Sequence, residues 1–261
     1  MRNVRVKCFL SGVIEPDPTY NSSATTLSVG GLRQQFSLSE NVQIGLFARD
    51  FMRGYPNTLF GDLPSMLGSV PDVKFQPHGY LFLASEAGYD ILMANHKTQV
   101  ESGANTVVMS AGQLKSKFPW LGTEGVVAGC YGGEDEGWFD PWALLQAFKM
   151  SAVARGVEFI TGSVRTLSCL PGVKCQAGVK FAGGEQKEFE SDRVVIAAGG
   201  DSGYVGFLAG LGLGQGVMGV GLPIEKRKRY VYVPHCPEGP GMDCPLVIDP
   251  SGASNHHTSN S

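Results

Sequence analysis

DPWALLQAFKMSAVARGVEFI, residues 140–160, and DRVVIAAGG, residues 192–200, decide how this chain folds. Asp140 is placed to cap a helix, Pro141 to open it and Gly156 to stop it, with an apolar stripe at Trp142, Leu145, Phe148 and Ala152. Val157-Glu158-Phe159-Ile160 reads as the strand behind that helix, followed by a meander of short strands that turns at Ala182-Gly183-Gly184-Glu185. The apolar run Val194 to Ala198 enters Gly199-Gly200 and reads as a strand buried on both faces, as in a parallel sheet. Helix, strand, antiparallel meander and buried strand make an α/β plan.

Upstream, Val13-Ile14-Glu15 reads as a strand end, stopped by Pro16 and Pro18, which cannot donate to a ladder. A polar loop leads to Gly30-Gly31. Ser37-Leu38-Ser39-Glu40 has the spacing of a capping box, and Val42, Leu46 and Arg49 against Ile44, Phe47 and Phe51 predict the helix it opens, with one apolar face. His78 to Ala84 predicts a strand, and residues 85–102 a helix with Tyr89, Leu92, Met93, His96 and Val100 on one stripe and Gly103 as its stop. A strand at Thr106 to Met109 then meets a second capping box, Ser110 to Gln113, and a short helix ended by Pro119. Residues 36–140 therefore read as an α+β domain inserted into a first one formed by 1–35 and 141–215, and 216–261 as the start of a further inserted segment with a polar tail.

Composition narrows the function. The 261 residues carry a net charge of −3, 17% charged and 43% hydrophobic side chains, and 36 glycines, about twice the usual share. That excludes a disordered polyelectrolyte, a coiled coil and a basic nucleic-acid binder, and the glycines lack collagen's period of three. No apolar run approaches the roughly 18 residues of a membrane span. Arg2, Arg5 and Lys7 give the N-terminus a faint transit-peptide character, although a strand reads better there. Six cysteines never fall as CxxC, so they read as ordinary reduced thiols, and neither His235 beside Cys236 and Cys244 nor the tail pair His256-His257 completes a metal site.

Several stretches could carry chemistry. Glu15 stands where a dinucleotide fold places the carboxylate that accepts both ribose hydroxyls, though many strands end in an acid. Its usual partner, GxGxxG about twenty residues earlier, does not precede it. Gly214, Gly216 and Gly219 match that motif formally, but a helix (Gly203 to Leu211) precedes and Pro223 follows, so the stretch reads as a connector. Ala197-Ala198-Gly199-Gly200 offers bare backbone to a planar ligand, or is a plain strand-to-helix turn. Lys226-Arg227-Lys228-Arg229 before Tyr230 to Val233 reads as a solvated strand entrance or a contact for an anionic partner. The acids Glu134, Asp135, Glu136 and Asp140 cluster in one loop, and no Ser-His-Asp or HExxH pattern supports a hydrolase or a metalloenzyme.

In their order, Leu27-Ser28-Val29-Gly30-Gly31-Leu32-Arg33-Gln34-Gln35-Phe36, Gly79 to Glu86, Phe118-Pro119-Trp120, Asp135 to Trp142 and Lys228 to Val233 closely resemble the D-amino-acid-oxidase-like, or sarcosine-oxidase-like, flavoproteins. The resemblance runs from about residue 13 to residue 252. It implies a partial FAD-binding Rossmann-like domain with an inserted α+β substrate domain, FAD as cofactor, and hydride removal from the carbon beside an amine nitrogen. It further implies a mitochondrial protein of the matrix or the inner-membrane surface that supports assembly of respiratory complex I, with subunits or intermediates of that complex as partners. Carried over by position, Glu15 holds the ribose, Thr25, Ser28 and Gly30 line the flavin, Val164 presents backbone to the adenine, and Ala198 and Gly199 lie near the pyrophosphate and ring; no catalytic residue is assigned. Ala24 replaces a hydroxyl residue of the family pattern and Gly200-Asp201 an Ala-Trp pair. The family's N-terminal glycine fingerprint and C-terminal third are not found, so weak or absent FAD binding is expected. The alternatives are a non-catalytic assembly protein and an inactive truncated isoform.

Overall fold

The computed structural model describes residues 11–63, 70–169, 174–214, 216–233 and 235–255. The basic stretch with Arg2, Arg5 and Lys7, the Pro171-Gly172 pair between two cysteines and the His256-His257 pair lie outside the described residues. In chain order the strands are β1 (Gly12–Glu15), β2 (Gly31–Leu32), β3 (Tyr80–Ala84), β4 (Val107–Ser110), β5 (Ala128–Tyr131), β6 (Gly137–Trp138), β7 (Glu158–Thr161), β8 (Ser163–Ser168), β9 (Cys175–Lys180), β10 (Gln186–Ser191), β11 (Leu246–Ile248) and β12 (Ser254–Asn255). The helices are α1 (Ser39–Phe60), α2 (Tyr89–Glu101), α3 (Ala111–Lys117), α4 (Pro141–Ala154) and α5 (Ser202–Leu208). The chain forms two compact units, residues 1–27 with 152–233, and residues 28–151 with 234–261.

In the first unit β1 and β7 run parallel, from Gly12 opposite Glu158 to Glu15 opposite Thr161. The meander β10-β9-β8 is antiparallel and buries Leu167, Cys175, Ala177 and Val179 on one face. A bulge between Val164 and Thr166 leaves Arg165 as the extra residue. Three expectations fail here. Residues 193–198 form no strand, and Val195 is 86% exposed: a buried parallel strand needs neighbours to accept its hydrogen bonds, and among the described residues of this unit the parallel pair is β1 and β7 only. Tyr230 to Val233 form no strand for the same reason and stand exposed. Cys169 and Cys175 are joined in a disulfide rather than reduced, because the pairing of Ser168 with Gln176 brings their Cα atoms to 4.3 Å.

The second unit is built on a five-stranded mixed sheet of order β12-β11-β3-β5-β4, in which β11 and β3 are parallel and the other pairs antiparallel. Leu81, Leu83, Leu114, Phe118, Leu121, Val126 and Val247 form its main core, and Ala84, Leu92, Ala128 and Cys130 a smaller one. The capping box of α3 forms as predicted: the Ser110 N–H donates to Gln113 Oε1 at 2.8 Å and the Gln113 N–H to Ser110 Oγ at 3.4 Å. The one predicted at Ser37 does not, because the chain stays extended through Leu38, which becomes the residue flanking α1, and Ser37 lies a residue too early. The α1 face is also rotated from the expected one. Val42, Gly45, Met52 and Tyr55 are buried, while Ile44 and Phe47 are 65% and 72% exposed.

Helix α4 begins where the sequence places it, with Asp140 Oδ1 accepting the Ala143 N–H at 3.0 Å and Gly156 at φ +87° after its end. Its buried face, however, is Ala147 and Ser151, and Trp142 and Phe148 of the expected stripe are exposed. Small side chains win that face because they allow close approach: Ala147 packs with Leu32, Met52, Tyr55 and Val73, and Ser151 Oγ donates to the Leu59 carbonyl at 2.6 Å. Asp140→Ala is expected to lower stability by about 1 kcal/mol, and Asp140→Asn to restore most of it, read as urea midpoints at constant slope.

Candidate functional site

Glu15 closes β1 at the carboxyl end of the parallel pair, and its carbonyl accepts the Gly162 N–H at 3.0 Å. Its carboxylate is fixed by the next turn, with Oε1 accepting the Asp17 N–H at 2.9 Å. That turn is itself pinned. Asp17 Oδ1 accepts the Thr19 N–H at 2.9 Å and the Thr19 hydroxyl at 2.5 Å, which holds the Asp17 carboxyl below its ordinary range, and Thr26 Oγ1 donates to the Tyr20 carbonyl at 2.6 Å. Burial, followed by the charges of Glu15 and Asp17, pushes the buried Tyr20 phenol up. A half-buried carboxylate thus sits at the carboxyl end of β1, with one oxygen held by the turn that follows.

Thr25, Val164, Ala198 and Gly199 belong to the same unit as Glu15. Thr25 lies exposed on the turn, and Val164 sits in β8 opposite Val179, immediately before the bulge. Ala198 and Gly199 are exposed ahead of α5, where Gly199 has φ +55° and open space where a Cβ would stand. A cavity of about 210 Å³ on the meander is lined by Arg165, Thr166, Ser168, Gln176, Glu188 and Leu208 among others, and includes none of the predicted residues.

Ser28 and Gly30 belong to the second unit. The Gly30 N–H donates to Ser28 Oγ at 3.2 Å, and its carbonyl accepts the Phe139 N–H at 3.0 Å. With φ +64°, and with the Phe139 carbonyl where a Cβ would be, Gly30 is required by the approach of two chain segments. Gly31 is required likewise by the Tyr80 hydroxyl.

A strongly perturbed group near this segment is one that sequence reasoning passed over as one of four loop acids. Glu136 is 0% exposed. Its Oε1 accepts the N–H of Gln34 and, at 3.1 Å, that of Gln35, while Oε2 accepts Gln35 Nε2 at 2.7 Å. Its carboxylate fills the space that a side chain at Gly132 would take. Burial outweighs these hydrogen bonds and the nearby Arg33 charge, and pushes the Glu136 carboxyl up to about 7. Burial likewise pushes Tyr80 up to about 12 and the Cys130 thiol up to about 12, which leaves that thiol an inert core group. The sequence signal was the pair of glycines, Gly132 and Gly137, around a run of three acids; it marks a tight approach without saying which acid is buried or what approaches. Among the described residues no group of His, Cys, Asp or Glu could hold a metal, and no helix is long and apolar enough to cross a membrane.

The chain is similar to known proteins along most of its length. The family model described as FAD dependent oxidoreductase matches residues 12–257. FAD-dependent oxidoreductase domain-containing protein 1 of Xenopus laevis is 45% identical over 92% of this chain and 51% of its own length; the homolog from Drosophila melanogaster is 40% identical over 92% and 49%. The chain thus spans about half the length of these relatives. In fold it is similar to L-proline dehydrogenase from P. horikoshii (TM-score 0.61, 20% identity, 88% of this chain and 56% of that one). It is also similar to glycine oxidase from Geobacillus kaustophilus (TM-score 0.62, 20% identity, 77% and 51%).

The position of Glu136 sets a pH dependence of stability. With its carboxyl raised from 4.5 to about 7, the folded state binds the proton more tightly than the unfolded chain. The resulting stability is full below about pH 4.5 and is lost as pH rises through 7. Relative to Glu136→Gln, the unmodified protein is expected to lose on the order of 3 kcal/mol between pH 4.5 and pH 8 in urea unfolding. A constant difference across that range would sink the assignment.

Proposed function

The chain belongs to the FAD dependent oxidoreductase family, and on that premise we propose that it serves flavin-dependent oxidation of an amine or amino acid in a mitochondrial protein required for assembly of respiratory complex I. The observation that carries the flavin part is the Glu15 carboxylate, fixed by the Asp17 N–H at the carboxyl end of the parallel β1–β7 pair. That placement fits the adenosine half of FAD: Glu15 would accept the two ribose hydroxyls, and the Val164 backbone would meet the adenine edge. The open space at Gly199 lets backbone approach a ligand there. FAD would supply the hydride acceptor, which no side chain can replace. Thr25, Ser28 and Gly30 are proposed to line the flavin ring.

The complex I role, the mitochondrial matrix or inner-membrane-surface location, and complex I subunits or assembly intermediates as partners rest on the resemblance carried by SVGG at 28–31 and GWFDPW at 137–142. A second reading, a non-catalytic binding protein, is favoured by one observation: Ile44 and Phe47 of α1 stand largely exposed beside each other on a helix whose other face is buried.

Glu15→Gln separates these readings. It keeps the shape and removes a charged acceptor, so the FAD dissociation constant of the full-length relative carrying the same substitution, followed by flavin fluorescence, is expected to rise about tenfold or more. An unchanged constant overturns the placement of the ribose. In cells depleted of the native protein, the same substitution in the full-length relative is expected to leave complex I intermediates accumulating on native gels; full rescue selects the non-catalytic reading.

A further inference from the structure

Arg33 lies immediately before the two residues that Glu136 holds. Its guanidinium stands 4.6 Å from the centre of the Phe36 ring and 5.2 Å from that of Phe82, and among the described residues it makes no hydrogen bond or ion pair. Stacking uses the face of a guanidinium and leaves its edge donors open. The backbone beneath it is tightly constrained: a Cβ on Gly45 would come within 2.5 Å of the Arg33 carbonyl. The peptide plane of that carbonyl carries the Gln34 N–H, which Glu136 accepts.

From this arrangement we propose that Glu136 is a positioning residue for Arg33, which slackens its hold on the Gln34–Gln35 backbone when it takes up a proton. Ionised, the carboxylate accepts three N–H groups and fixes the segment through charge-assisted bonds. A proton taken from solvent onto Oε2 faces Gln35 Nε2, itself a donor at 2.7 Å, so donor meets donor. The acceptor that resolves this is at hand. Gln35 Oε1 is buried and has no partner, and rotation of the amide presents it to the new O–H. The Tyr80 carbonyl then loses Gln35 Nε2 but keeps the Gly132 N–H at 3.0 Å, and Nε2 gives up both of its acceptors, so the turn exchanges two donated bonds for one accepted bond and loosens the Gln35 side chain. Proton uptake therefore turns one buried amide and replaces two charge-assisted backbone bonds with neutral ones, directly behind Arg33.

The groups facing Glu136 leave it the titrating member near neutrality. Arg33 favours its ionised form; Tyr80 on β3 and Cys130 and Tyr131 on β5 are all pushed up, away from neutrality, and stay uncharged there. In its own loop Glu134 is a further acid, and Asp135 is neutralised by Arg49 at 3.2 Å and Arg53 at 2.7 Å, both on α1.

The consequence for a ligand rests on the flavin reading above, in which Ser28 and Gly30, a few residues before Arg33, would line the flavin. The test does not. In 15N,13C-labelled protein, the Arg33 Nε–H signal is identified by its loss in Arg33→Lys, and the Glu136 carboxyl carbon by its loss in Glu136→Gln. Between pH 5 and pH 9 both signals are expected to move with one shared midpoint, and the Arg33 movement is expected to vanish in Glu136→Gln. A merely structural Glu136 would alter stability without erasing that titration. An Arg33 signal that stays still, or that still titrates in Glu136→Gln, overturns the proposal. Should that variant fail to fold, unequal midpoints in the unmodified protein overturn it. Because no flavin is present, failure of FAD binding and failure of this proposal are read separately.

Discussion

A single carboxylate, sealed from water, ties together parts of the second unit that lie about a hundred residues apart in sequence. Glu136 reaches across to the backbone of Gln34 and Gln35. Leaving a charge in such a place costs several kcal/mol, and the three N–H groups around it offset only part of that, so the carboxyl is pushed up. Much of the neighbouring geometry follows. The pairing of Gly31 with Trp138 and Leu32 with Gly137 brings β2 against β6, Gly30 and Gly31 lose side chains to let Phe139 and Tyr80 in, and Gly132 yields its side-chain space to the carboxylate itself. Gly30, Gly31 and Gly132 thus mark places where chain segments meet.

The first unit depends on a different constraint, the pairing of two parallel strands. A parallel pair delivers both carboxyl ends to one edge, and open α/β folds place their ligands at that edge. Glu15 gains its meaning from the presence of β7 alongside β1, since the same acid at the end of a lone strand would be a solvated charge. The turn behind it adds rigidity, because Asp17 and Thr26 spend their side chains on local backbone.

How far the sequence could be read depended on the range of the interaction involved. Asp140, Pro141 and Gly156 bounded α4 correctly, and Ser110 and Gln113 capped α3, because a cap is satisfied within four residues of its own position. The faces of α1 and α4 were not legible. Hydrophobicity favoured Phe47, Trp142 and Phe148, whereas the packed faces went to Gly45, Ala147 and Ser151, whose small size lets other elements approach. Residues 194–198 were strand-like in composition, yet a strand exists only where a neighbour completes its hydrogen bonds. In the candidate site Glu15 was legible because it ends a strand before two prolines, and Glu136 was not, because the residues that bury it belong to segments distant in sequence.

By itself, then, the sequence determined the α/β class, the two helix starts that carry their own caps, the strand end at Glu15 and the family, since each is written in neighbouring residues or in a motif of fixed order. Only the tertiary structure decided which helix faces are buried, that Cys169 and Cys175 meet, and that Glu136 rather than its three acidic neighbours is buried against Gln34 and Gln35. The reason is physical: burial, desolvation and close approach are properties of what lies across from a residue, and the order of a chain does not state them.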